Sequence, residues 1–148
     1  MTRVAIIPGN GDGDVEYSNW YGWLRDELQK MDGVKEATLR NMPDPMAARE
    51  KFWLPFMHDK LKCDENTIIV GHSSGAVAAM RYAEKHEVKG LVLVSVYISA
   101  HGNPLEEKSG YFSRPWEWDK ISKKCWFYRP VRLNGRPILA LAGTASNC

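Results

Sequence analysis

Short unbroken apolar runs alternate along the chain with segments whose apolar residues recur at helical spacing. Val4-Ala5-Ile6-Ile7 is the first run, and Pro8-Gly9-Asn10-Gly11 ends it, so it reads as a buried strand feeding a tight loop. Trp20, Trp23, Leu24, Leu28 and Met31 then fall on one helical face, with Gly33 as the expected stop. Ala37-Thr38-Leu39 predicts a second short strand. Met42-Pro43-Asp44-Pro45 breaks the chain before a helix expected from about Met46 to Lys60. Pro55 lies inside that helix; a proline lacks the backbone donor and crowds the preceding turn, so a kink or a division into two helices is expected there. Thr67-Ile68-Ile69-Val70, a helix from Gly75 to Lys85, and Leu91-Val92-Leu93-Val94 complete the alternation. Apolar runs buried on both faces, alternating with helices, predict an α/β fold with a parallel sheet covered by helices.

The texture changes beyond Ser95. Gly110-Tyr111-Phe112-Ser113-Arg114-Pro115-Trp116-Glu117-Trp118 is aromatic and polar, and a short helix is expected to run through Lys124. Residues 126–148 show no period, contain Pro130 and Pro137, and are basic without an acidic residue. The expected organisation is one α/β domain over residues 1–125 and a divergent, disordered tail over 126–148.

Composition narrows the picture by exclusion. With 148 residues, 44% hydrophobic and 26% charged, the chain suits a single soluble domain. Twenty basic residues against 18 acidic ones leave a formal charge of +2 spread along the chain, which points to neither nucleic acid nor acidic lipid. No apolar stretch approaches a membrane span, and the N-terminus lacks a secretory pattern. Cys63, Cys125 and Cys148 form no disulfide framework, and His and Cys never stand at metal-ligand spacing. A cytoplasmic or nucleocytoplasmic protein without metal or organic cofactor is expected.

The chemistry lies in Gly71-His72-Ser73-Ser74-Gly75. A serine hydroxyl is a weak nucleophile unless it is exposed at a fold edge beside a base and an oxyanion hole. The pattern G-x-S-x-G meets the exposure requirement: a sharp strand-to-helix turn strains the serine outward, and glycines two positions to either side let strand and helix pass closely. A strand precedes the pattern and a helix former run follows it, so Ser73 is the candidate nucleophile. The backbone N–H of Ser74 is one candidate oxyanion donor, and the Gly9-Asn10-Gly11 loop is the best-placed source of a second, through Gly9 or Asn10. A glycine loop after a first strand also raises dinucleotide binding, but the third glycine of G-x-G-x-x-G is replaced by Asp14.

A base is harder to find. In this arrangement the acid and then the histidine follow the serine, and only His86 and His101 do so. His86 stands past the far end of the helix that Ser73 opens, about 15 to 20 Å away at about 1.5 Å per residue. His101 falls in the loop after Leu91–Val94, where a surface or capping role is favoured. His72 is expected to pack beside the turn and His58 to face solvent.

Pro8-Gly9-Asn10-Gly11, Trp20-Tyr21-Gly22-Trp23, Asn41-Met42-Pro43-Asp44-Pro45, Trp53-Leu54-Pro55-Phe56-Met57, the Ser73 segment through Ala76, and Gly110 to Trp116 closely resemble the retinoblastoma-binding protein nine family of serine hydrolases, over about residues 3–125. The resemblance implies an α/β-hydrolase fold and hydrolysis of small ester or amide substrates. It ends at Cys125: the family's Gly-Ser-Thr-Asp-Asp-Pro-Phe segment, which supplies the triad aspartate, and its later Gly-His segment, which supplies the base, have no counterpart here. Codons for Phe127 to Ala142 can be chosen so that reading one base later spells Ser-Ile-Val-Gln-Phe-Gly-Ser-Thr-Asp-Asp-Pro-Phe-Leu-Pro-Trp. A frame-shifted tail on a C-terminally truncated α/β-hydrolase domain is therefore expected, with little or no turnover.

A reading of another class attaches to Leu61-Lys62-Cys63-Asp64-Glu65, which spells L-x-C-x-E. The resemblance implies docking on the retinoblastoma protein's pocket through Leu61, Cys63 and Glu65. Docking needs an exposed, extended backbone, so packing of Leu61 and Cys63 under the next strand is the favoured reading. Tyr111, Phe112, Trp116 and Trp118 are open between an acyl-pocket wall and lid packing.

Overall fold

The computed structural model describes residues 1–124, together with the backbone of two strands at Arg129–Leu133 and Arg136–Ala140. Four strands, β1 (Thr2–Ile7), β2 (Val34–Leu39), β3 (Thr67–His72) and β4 (Gly90–Val94), form one sheet in the order β2-β1-β3-β4. Every pairing in it is parallel, with Val4 opposite Ala37 and Ile68, and His72 opposite Val94.

Helix α1 (Tyr21–Gln29) connects β1 to β2 and lies on one face, where Trp20, Leu24 and Leu28 pack with Val4, Ile6 and Val70. The opposite face holds the larger core. There α2 (Glu50–Asp59) and α3 (Ser74–Lys85) bury Trp53, Met57, Val77 and Met80 against Ala5, Ile7, Ile69, Leu91 and Leu93. The face of α1 is less completely covered: Trp20, Leu24, Leu28, Val70, Val92 and Val94 line an apolar hollow of about 400 Å³.

Helix α2 differs from its expected form in two ways. It starts at Glu50 rather than near Met46, because Asp44 organises a turn instead: Asp44 and Ala48 both have left-handed φ, 48° and 51°, and Ala48 N–H reaches Asp44 O at 2.8 Å. The Asp44 carboxylate also accepts from the N–H and guanidinium of Arg49. The helix then runs through Pro55 without the expected division. Lys51, whose carbonyl Pro55 leaves without a donor, and Pro55 are both exposed, so the gap in the helix ladder falls on the exposed side of α2.

Two short helices follow β4. One, α4 (Pro104–Lys108), was not anticipated; Asn103 caps it, its side chain accepting from the N–H groups of Leu105 and Glu106. The other, α5 (Trp118–Ser122), fulfils the expectation of a helix before Lys124. The aromatic segment between them is pinned to α3 by Arg81, which is 0% exposed. Its guanidinium donates to the carbonyls of Tyr111, Arg114 and Pro115 and to Glu84, and stacks on Trp116 at 3.7 Å. Glu84 in turn accepts from Glu117 N–H at 2.9 Å. Tyr111 is buried, its hydroxyl donating to Ala48 O, so the aromatic segment is also anchored to the turn before α2.

The two remaining strands, β5 (Arg129–Leu133) and β6 (Arg136–Ala140), pair antiparallel. They stand inside the stretch for which disorder was expected; the rest of that expectation lies outside the described residues.

Candidate active site

The sheet order places β2 and β3 on opposite sides of β1. Chain connections leave the carboxyl ends of β1 and β3 in opposite directions, which opens a crevice between them, the usual place for a site in a parallel sheet. Ser73 and the Pro8–Gly11 loop meet there.

Ser73 has φ 53° and ψ −117°, between the end of β3 and the first turn of α3. A non-glycine residue at such angles is strained, and the surroundings hold it. Ser73 N–H donates to Val94 O at 2.9 Å, and the N–H groups of Ala76 and Val77 reach Ser73 O. The glycines are required by contact. A Cβ on Gly71 would lie 2.5 Å from Gly75 O, and one on Gly75 would lie 2.5 Å from Pro8 O while colliding with Ile7 O. A Cβ on Gly9 would stand 3.4 Å from Ser73 Cβ, so the loop after β1 lies directly beside Ser73.

The candidate oxyanion residues separate on their hydrogen bonds. Gly9 donates its N–H to Tyr21 Oη at 3.0 Å, which corrects its expected role: that donor is already engaged inside the fold. Asn10 is tied by its side chain, Nδ2 donating to Met46 O at 3.1 Å and Oδ1 accepting from Ser74 Oγ at 2.8 Å. Ser74 is buried at the start of α3, and its Oγ also stands 3.1 Å from Tyr97 Oη.

Behind Ser73 lies a polar cluster that the sequence reading did not assemble. His72 Nδ1 is 2.6 Å from Tyr21 Oη, which also contacts Asp12 Oδ2 at 2.9 Å. Trp20 meets the His72 ring edge-on at 5.5 Å. Burial pushes the Tyr21 phenol up to about 12 and holds His72 below the ordinary imidazole range.

No histidine is hydrogen-bonded to Ser73 among the described residues. His101 is exposed in the loop after β4. His86 caps the far end of α3, as expected, and stacks with Tyr82 and His58 at 4.3 and 4.8 Å. His58 is exposed but not only solvated, since its Nδ1 lies 3.2 Å from Tyr82 Oη.

The L-x-C-x-E residues are not presented as an extended peptide. Leu61 is 2% and Cys63 3% exposed, and both belong to the main core. Lys62 has a left-handed φ of 55°, Cys63 N–H donates to Met57 O, and Cys63 O accepts from Tyr82 Oη at 2.7 Å. Glu65 is exposed. Among the described residues no group of three or more His, Cys, Asp or Glu side chains is placed to hold a metal ion.

Residues 4–113 match the family model described as Serine hydrolase. The chain is 57% identical to Serine hydrolase RBBP9 of Rattus norvegicus over 124 residues, 84% of this chain and 66% of the rat protein. It is 35% identical over 104 residues to YdeN of Bacillus subtilis, a protein whose name describes a hydrolase, covering 64% of this chain and 51% of YdeN. The crystal structure of the ydeN gene product superposes with a TM-score of 0.65 at 28% identity, over 84% of this chain and 66% of the other. The chain thus spans between half and two thirds of the length of these relatives, and the shared architecture is an α/β-hydrolase-type parallel sheet flanked by helices.

Proposed function

This chain belongs to the serine hydrolase family, and from that membership we propose that Ser73 is its nucleophile, acting on small ester or amide substrates. The observation that carries the reading is the strained backbone of Ser73, held at φ 53° at the mouth of the crevice with the Gly9 loop against it. Ser73 Oγ would bond to the substrate carbonyl carbon while the carbonyl oxygen takes up the negative charge. The backbone N–H groups of Ser74 and Asn10 flank that position, on α3 and on the loop after β1, and are the proposed oxyanion donors.

The hydroxyl proton must leave for attack to proceed. The nearest phenol is that of Tyr97, 3.1 Å from Ser74 Oγ, and burial keeps it neutral by raising its pKa above the ordinary tyrosine value. A neutral phenol accepts a hydrogen bond but does not take the proton at neutral pH. With no base hydrogen-bonded to Ser73 among the described residues, Ser73 is left with binding and oxyanion stabilisation, and little turnover is the proposed consequence.

Labelling with a fluorophosphonate probe tests the assignment. Slow labelling that disappears in Ser73→Ala and survives in Ser74→Ala supports it; labelling that persists in Ser73→Ala overturns it.

Docking on the retinoblastoma protein through Leu61, Cys63 and Glu65 is the weaker reading, because it requires Leu61 and Cys63 to leave the core. Capture of the folded chain by the retinoblastoma protein, lost on Cys63→Gly and indifferent to Ser73→Ala, would reverse that order.

A further inference from the structure

One chain of side-chain hydrogen bonds crosses the mouth of the crevice. Glu106 Oε1 lies 3.0 Å from Tyr97 Oη, Tyr97 Oη 3.1 Å from Ser74 Oγ, Ser74 Oγ 2.8 Å from Asn10 Oδ1, and Asn10 Nδ2 3.1 Å from Met46 O. These groups come from α4, the loop after β4, the first turn of α3, the loop after β1 and the turn before α2.

The direction of each bond follows from what each group can donate. Asn10 commits its Nδ2 to Met46 O, so its carbonyl oxygen faces Ser74, and Ser74 must be the donor. A carboxylate only accepts, so Tyr97 donates to Glu106. Ser74 has then used its single proton on Asn10, so the Tyr97 proton is shared between Glu106 and the Ser74 oxygen, which keeps a lone pair to accept it.

We propose that Tyr97 and Glu106 are positioning residues, which brace Ser74 against Asn10 so that the oxyanion pocket keeps its shape. The proposal rests on the reading of Ser73 as nucleophile and of the Ser74 and Asn10 amides as oxyanion donors. Those two amides belong to separate elements, and a pocket of this kind works only when its donors are fixed within a fraction of an ångström before the charge develops. The Ser74–Asn10 bridge supplies a direct tie between them. Tyr97 closes the other side of Ser74, and its ring is seated on Phe112 with centroids 5.7 Å apart. Glu106 is fixed in turn because the Asn103 cap sets the first turn of α4. This gives the short helix after β4 a role: it aims one carboxylate at one phenol.

The test uses the full chain and phenylboronic acid, whose tetrahedral adduct with a serine oxygen imitates the oxyanion intermediate. Its affinity is read by boron NMR, and the Asn10 side-chain NH₂ signal is followed by nitrogen-proton NMR. Tyr97→Phe keeps the ring and its packing, and Glu106→Gln keeps an acceptor for the phenol. Tyr97→Phe and Glu106→Ala are expected to weaken the adduct about tenfold, the scale of a small misplacement of catalytic groups, while Glu106→Gln stays within about twofold of the parent. Both weakened variants should keep the parent's thermal midpoint to within a few degrees. Unchanged affinity in Tyr97→Phe, or a loss in Glu106→Gln equal to that in Glu106→Ala, overturns the proposal. If the parent forms no adduct, the nucleophile reading fails by itself. The brace is then judged on the Asn10 NH₂ signal, which should shift and exchange faster in Tyr97→Phe and overturns the brace if it does not.

Discussion

The phenolic oxygen of Tyr21 stands 2.6 Å from Nδ1 of His72, on the strand that ends at Ser73, and the same oxygen receives the N–H of Gly9 at 3.0 Å. One hydroxyl therefore ties β3 to the loop after β1, the two segments that frame the crevice. Tyr21→Phe preserves the ring but leaves the buried Gly9 N–H without its acceptor. A loss of about 1–3 kcal/mol in urea unfolding is expected, the cost of an unsatisfied buried donor. A change of less than a few tenths of a kcal/mol would mean that the tie contributes nothing.

Acid should weaken the fold through two imidazoles. Burial holds both His72 and His86 below the ordinary value of 6.5, and Coulombic repulsion from His58, Lys85 and Lys124 lowers His86 further. Below about pH 6.5 the unfolded chain binds protons that the native chain does not, so stability is full above that pH and is lost as pH falls towards the native pKa values. Urea midpoints measured from about pH 7.5 to 5.5 should fall, and should fall less in a His72→Asn, His86→Asn double variant. An equal fall in both proteins would assign the acid sensitivity elsewhere.

Gly75→Ala should be among the most damaging single-methyl changes in the chain. Its new carbon meets the backbone oxygens of Ile7 and Pro8, neither of which is the flexible end of a side chain. A cost of about 3 kcal/mol is expected, at the upper end for overpacking. Gly13→Ala, where a new carbon meets nothing within 4 Å, is the control and should change the thermal midpoint little.

Cys63 reports on opening of the core. Its thiol is 3% exposed, and burial pushes its pKa up to about 12. In a chain carrying Cys125→Ser and Cys148→Ser, a disulfide reagent at neutral pH should modify Cys63 only as fast as the protein unfolds, and about as fast as a free thiol in denaturant. Rapid modification under native conditions would show that the Leu61–Glu65 segment opens readily, the condition that retinoblastoma docking requires.

The sheet was legible because its strands are apolar on both faces; Val4–Ile7, Thr67–Val70 and Leu91–Val94 stand out on composition alone and each falls inside an observed strand. Ser73 was legible for a related reason, since the spacing of Gly71 and Gly75 records a close approach that any side chain would prevent. The start of α2 was misplaced because the turn at Asp44 depends on Arg49, a side chain five residues away. Helix α4 did leave a local signal, Asn103 followed by Pro104, a capping residue before the first helical position. Tyr21, Tyr97 and Glu106 left none. Tyr21 and His72 are 51 residues apart, and only the parallel order of β1 and β3 brings them together.

Arg81 sets how traffic past Ser73 is managed. To lift the stretch from Tyr111 to Glu117 off α3, a guanidinium with no exposed surface would have to give up three carbonyls and an aromatic ring together, and Glu84 would lose the N–H of Glu117. Phe112 of that stretch packs against Tyr97, so the wall beside the crevice moves with α3 or not at all. On the proposed reading of Ser73 as nucleophile, that wall is set before a substrate arrives, and selection beside it would be by shape rather than by the timing of a door.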